Sequence, residues 1–148
     1  MRKLNRAELS KEFIDDDVAS GLTSFFLGAA GGSDRLYATI DRLQPNAYSC
    51  KYHAHSGQEE FFYILSGACT LRTEDGQIVM VPGDFFCKPA GKGIAHQFFN
   101  HTQEVCEILD VGLKHPLDVI EYPDEGVVYV RALKKVFRLT DALEGWTS

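Results

Sequence analysis

From Arg35 onward the chain is a series of short apolar and aromatic runs separated by turn signals. Leu36–Leu43 predicts a strand, Gln44-Pro45-Asn46-Ala47 a turn, and Tyr48–His55 the next strand. Glu60–Leu65 follows and ends at Ser66-Gly67; Ala68–Thr73 and Gln77–Val81 flank the hairpin turn Glu74-Asp75-Gly76. Pro82-Gly83-Asp84 turns into Phe85–Lys88, and His96–Asn100 and Val105–Leu113 complete the regular series. Many short strands with frequent turns predict an all-β domain, a closed or double-sheet antiparallel barrel that leaves few exposed edges. Outside this series, Ala7–Phe13 predicts a short helical turn and Ser24–Gly28 a short strand. Leu117–Pro123 reads as a turn or irregular link, and Val127–Leu133 and Val136–Leu139 as further strands. No internal repeat is visible, so the barrel is single.

The chemistry concentrates between His53 and Asn100. Residues two apart on a strand point to one face, so His53 and His55 aim both imidazoles into one space. Glu60 lies beyond a Ser-Gly-Gln turn, at the head of a run expected to return antiparallel beside the first strand. His96 arrives from a later hairpin and completes a set of three imidazoles and one carboxylate. A lone histidine in a strand is usually structural; this combination at these offsets predicts a metal site. Such ligands suit one divalent transition metal ion, whether Zn, Fe, Mn, Ni, Co or Cu, and leave open positions on a six-coordinate ion. Strand alternation sends Glu59 away from the pocket and turns Phe62 and Ile64 inward with Glu60, and Phe98 and Asn100 inward with His96. Lys51 and Ser49 share the parity of His53, which makes Lys51 the candidate acid-base residue; its alternative is to reach out to the barrel rim. His101 and His115 are expected at the surface.

These residues also carry a likeness. His53-x-His55 followed by Glu60 and Gly67, and then Gly83, Pro89-x-Gly91, His96 and Asn100, resemble the two motifs of the cupin superfamily over about residues 35 to 113. One spacing departs: four residues separate Gly91 from His96 where the common pattern has two, and Gly93 offers a wider turn to absorb them. Glu121-Tyr122-Pro123-Asp124 is similar to a segment that follows the barrel in some small bacterial cupins. The resemblance implies a small single-domain jelly-roll barrel, the double-stranded β-helix of cupins, spanning residues 23–148 behind an extension of residues 1–22. It implies a metal-dependent enzyme on a small oxygen-chelating molecule, an oxygenase or an isomerase/lyase. The other implied class is a non-catalytic module that binds or senses a sugar-like ligand. Fold alone does not choose between them.

Composition narrows the rest. A chain of 148 residues with 45% apolar and 24% charged residues suits one domain with one core. With 15 basic against 21 acidic residues the net charge is −6, which argues against nucleic acid as a primary partner; the small-molecule ligand or substrate is what the resemblance implies. Cys50, Cys69, Cys87 and Cys106 form no C-x-x-C pair, and with no secretory signal in view they read as free thiols of a cytoplasmic protein. No apolar stretch approaches the ~20 residues of a membrane span. The surplus strands Ser24–Leu27 and Val127–Leu139 predict a homodimer that pairs them with a symmetry mate.

Overall fold

The computed structural model describes residues 3–143 and Gly145. Thirteen strands are formed among the described residues: β1 (Ile14–Asp17), β2 (Leu22–Phe26), β3 (Leu36–Leu43), β4 (Ala54–His55), β5 (Glu60–Ser66), β6 (Cys69–Thr73), β7 (Gly76–Met80), β8 (Phe85–Lys88), β9 (Gln97–Phe99), β10 (Cys106–Leu113), β11 (Val119–Tyr122), β12 (Val127–Val130) and β13 (Lys135–Arg138). One layer is a six-stranded sheet in the order β1-β2-β3-β10-β5-β8. The facing layer has two pieces, β13-β12-β11-β4 and β7-β6-β9, joined by the bridges His53–His96 and Tyr48–Phe99. All strand pairings are antiparallel, and the architecture is a two-layered jelly roll of the kind the sequence resemblance implies.

Alternation builds the interior. Leu43, Phe62, Ile64, Cys69, Leu71, Phe98, Cys106 and Ile108 fill the space between the layers, each from the inward parity of its strand. All four cysteines are free thiols. No helix among the described residues is long and apolar enough to cross a membrane. Near the N-terminus, single 3-10 turns at Arg6–Glu8 and Lys11–Phe13 lead into β1, which pairs with β2. Arg6 reaches both carboxylate oxygens of Glu107 at 3.0 Å, so this segment lies on the barrel.

The strands expected over Ser24–Gly28 and Val127–Leu133 end early, at Phe26 and Val130, in a helical turn over Leu27–Ala30 and a 3-10 turn over Arg131–Leu133. Three further elements differ from the sequence expectation. The strand expected over Tyr48–His55 is broken, with regular pairing only at Ala54–His55. The Ser49 hydroxyl accepts from the Phe98 amide, and the Gln97 side-chain amide donates to the Cys50 carbonyl, so side chains occupy ladder positions there. The run from Glu60 does not return beside β4: β5 pairs with β8 and β10 in the opposite layer, while β4 pairs with β11. The expected irregular link is β11 itself, formed through β-branched Val119 and Ile120.

Candidate metal centre

His53 and His96 form a mutually hydrogen-bonded pair: the His53 amide donates to the His96 carbonyl at 3.2 Å and the His96 amide to the His53 carbonyl at 2.9 Å. The pairing sets their rings 4.7 Å apart. His55 follows on the same face, its ring 4.8 Å from that of His53. The turn at Gly91 to Gly93 makes this possible. Both glycines hold positive φ, at 68° and 67°, and the wider turn delivers His96 opposite His53. Glu60 approaches from the other layer. Its carboxylate lies 3.4 Å from His55 Nε2 and 3.9 Å from His96 Nε2. The four residues expected from the sequence therefore converge, with three imidazoles from one layer facing one carboxylate from the other.

The hydrogen bonds fix which nitrogens are free. His53 Nδ1 faces the Lys51 carbonyl at 2.8 Å, and His55 Nδ1 faces Asp118 Oδ2 at 2.5 Å. Both acceptors draw the ring proton to Nδ1 and leave a lone pair on Nε2. Those two Nε2 atoms are 3.0 Å apart. Two lone pairs at that distance repel unless a cation lies beside them, so the donor set fits a divalent transition metal ion. Burial holds all three histidines below the usual imidazole range, His96 at about 3, so they are neutral at pH 7, the form that can bind a metal ion. Burial alone would push Glu60 up, but the imidazoles of His55 and His96 and the Lys88 ammonium outweigh it and hold the carboxyl at about 2. At neutral pH the imidazoles carry no charge, and Lys88 is the cation that remains beside it.

Several residues here were not singled out in the sequence. Lys88, 1% exposed, places Nζ 2.9 Å from Glu60 Oε2 without hydrogen-bond alignment. Tyr37 donates to Glu60 Oε1 at 2.8 Å and the Gln58 amide donates to the same atom at 2.9 Å. Tyr37 stands against Gly112, where a Cβ would come within 2.6 Å of the hydroxyl oxygen. Asp118 also accepts from the Gly57 amide at 2.8 Å and from Arg131 at 3.3 Å. The cavity beside the cluster holds about 270 Å³ and is walled by Phe62, Phe98 and Ile108, with Asp41, Asp110 and Cys50 as further polar lining. Burial pushes Asp110 up to about 8, Asp41 to about 6 and the Cys50 thiol to about 12. Cys50 also forms a close trio with His53 and His96, a sulfur donor that the sequence reading had left out of the set. Parity was the available signal: Asp41 is two residues from Leu43, Asp110 two from Ile108, and Lys88 two from Phe86.

Lys51 is elsewhere. Its side chain is 65% exposed and pairs with Glu125 at 2.6 Å, outside the cavity. The broken strand explains this, because parity does not carry from His53 back through the bend at Tyr52 to Lys51. Glu59, His101 and His115 are exposed, as their positions implied.

The model of the cupin domain matches residues 39–112, half of the sequence, and contains all four converging residues. The chain belongs to the cupin family. A solved cupin described as a sugar phosphate isomerase, from Silicibacter pomeroyi, is 30% identical, with a TM-score of 0.84 over 95% of each chain. A structure from Acidithiobacillus ferrooxidans, 24% identical, superposes with a TM-score of 0.82 over 96% of this cupin and 98% of its own chain. Quercetin 2,3-dioxygenase of Bacillus subtilis is 26% identical over 104 residues; the match covers 70% of this cupin but only 31% of the dioxygenase. This cupin thus spans about a third of that curated relative.

Proposed function

We propose that this cupin is a metal-dependent isomerase that moves a proton between adjacent carbons of a small hydroxy-carbonyl compound, of the sugar phosphate class. The observation that carries the reading is Asp110: a carboxyl in the same cavity as the cluster, with Oδ1 buried and without a hydrogen-bond partner and its pKa pushed up to about 8 by burial. A ligand-binding module needs only the metal anchor, whereas a proton-moving enzyme needs a titratable group besides the ligands, poised near the working pH. The similarity over nearly the full chain to a structure described as a sugar phosphate isomerase supports the same reading.

His53, His55, His96 and Glu60 would hold the ion, which when bound supplies Lewis-acid polarisation of a carbonyl oxygen. Tyr37 and Gln58 orient Glu60 through their bonds to Oε1. Burial holds the Asp110 carboxyl above its usual range, and the charge of a bound ion would draw it back toward the carboxylate that acts as base. That carboxylate removes the proton from the hydroxyl-bearing carbon next to the carbonyl and returns it to the carbonyl carbon, while the hydroxyl proton passes to the carbonyl oxygen. Atoms and electrons balance with no oxidant. Phe62, Phe98 and Ile108 form the apolar wall against which the substrate's carbon chain rests, and the base exchanges its proton with solvent between the two transfers.

The test is NMR of metal-loaded protein with a panel of aldose and ketose phosphates in D2O, beside an oxygen electrode. The expected result is interconversion with deuterium at the exchanging carbon, no oxygen uptake, and a loss of about 10²- to 10⁴-fold in rate for Asp110→Asn. Oxygen consumption would replace the reading with an oxygenase. Saturable binding with no exchange would replace it with a binding module.

A further inference from the structure

Arg35 immediately precedes β3 and Lys114 immediately follows β10. The antiparallel register pairs Leu36 with Leu113, so the two cations emerge at the same end of the sheet. The Lys114 amide donates to the Arg35 carbonyl at 2.8 Å. His115 then lies over the turn before β5: a Cβ added to Gly57 would meet His115 Nδ1 at 2.6 Å. Arg131, from the 3-10 turn after β12, closes the side, its amide donating to the Asp118 carbonyl at 3.0 Å. Arg35, Lys114, His115 and Arg131, with Asp34 and Pro116, line an open concavity of about 530 Å³.

Its charge is unbalanced. The chain as a whole carries −6, yet this concavity gathers three permanent cations against the carboxylate of Asp34. Among the described residues, no ion pair is formed by Arg35 or Lys114. The partner of Arg131, Asp118, is fully buried and already accepts from His55 and Gly57. Arg131 Nε is buried and has no hydrogen-bond partner. Arg131 is tied to the histidine cluster through buried Gln58, which accepts from Arg131 at 3.2 Å and donates to Glu60 Oε1 at 2.9 Å.

We infer that Arg35, Lys114, His115 and Arg131 form a subsite for a phosphate monoester dianion, the phosphate end of a substrate whose carbonyl end sits at the histidine cluster. Guanidinium forks and an ammonium converging on one concavity suit the oxygens of such an anion. The assignment to substrate rests on the isomerase reading; the anion site itself does not.

Calorimetry of metal-loaded protein with inorganic phosphate at low ionic strength tests it. Phosphate should bind saturably, at least roughly tenfold more weakly to Arg35→Gln, Lys114→Gln, with recovery in Arg35→Lys, Lys114→Arg and with weakening as salt screens the exposed charges. Binding should persist in His53→Ala, His55→Ala, which separates the subsite from direct attachment of phosphate to the metal. No saturable binding, binding unchanged in the Gln variant, or binding lost only with the histidines would overturn the inference. Competition by a sugar phosphate, but not by its parent sugar, would assign the subsite to the substrate; failure to compete would overturn that assignment. Phosphate binding at these residues without sugar phosphate exchange would leave the subsite standing and remove the isomerase reading.

Discussion

His55 uses both ring nitrogens, one toward the shared cluster and one toward Asp118, so its aim depends on a residue that binds no ligand itself. His53→Ala, His55→Ala is expected to lose nearly all bound metal while remaining folded, since the apolar strands build the core. Asp118→Asn should weaken the metal by roughly 10- to 100-fold with all four ligands intact. Glu60→Gln should weaken it as well, whereas Glu59→Gln, on the exposed face, should leave it unchanged. Chelator competition with metal analysis reads all four; equal effects from Glu59 and Glu60 would show the wrong carboxylate assigned. Asp41 yields a pH prediction. Burial pushes it up to about 6 against the bond from Ser24, while in the unfolded chain it titrates near 3.8. The folded state then binds more protons between those values, so this contribution to stability is present below about pH 4 and lost as pH rises through about 6. Asp41→Asn removes the effect, worth up to about 3 kcal/mol. The expected observation is a Tm advantage of the variant that grows from pH 4 to pH 7; a constant difference would refute it.

At the scale of elements, the site joins both layers, and this decides what the sequence could reveal. Glu60 joins His53 and His55 from the opposite layer and not through the turn and return strand expected, whereas the convergence of the two histidines was legible because a two-residue repeat is local. Phe62, Ile64, Phe98 and Asn100 were legible for the same reason, since alternation within an unbroken strand preserves parity. Lys51 takes the outward alternative rather than the acid-base one, because the strand is irregular from Ser49 to Tyr52, where side-chain bonds of Ser49 and Gln97 override the local pattern. Asp118 was out of reach, because β11 becomes the neighbour of β4 only when the chain closes. That pairing can be tested directly. Glu121→Pro keeps an exposed position but removes a backbone donor from the β11 ladder. Hydrogen exchange at Ala54 to Ser56 should accelerate and metal affinity should fall, though no ligand has changed. Unaltered affinity would mean that β4 holds His55 without help from β11.

For the whole molecule, the edges bear on assembly. β2 is enclosed between β1 and β3, so the expected pairing of Ser24–Leu27 with a second copy is not open to it. β13 is a sheet edge, and Val136 and Phe137 are exposed there at 61% and 44%. The expected homodimer, if formed through terminal strands, should use β13: light scattering should give a dimer mass at micromolar concentration and a monomer for Val136→Lys, Phe137→Lys. A monomer for the unaltered chain would refute it. The segment after β10 has a second consequence. The family-matched region ends at residue 112, while Asp118, Arg131, Lys114 and His115 all lie beyond it. The family-matched barrel supplies the four converging residues, and the segment beyond it supplies one proton anchor and most of the cationic rim. Replacing that segment would thus be a modular route to new ligands, altering affinity and selectivity together while the histidine and glutamate set stays untouched.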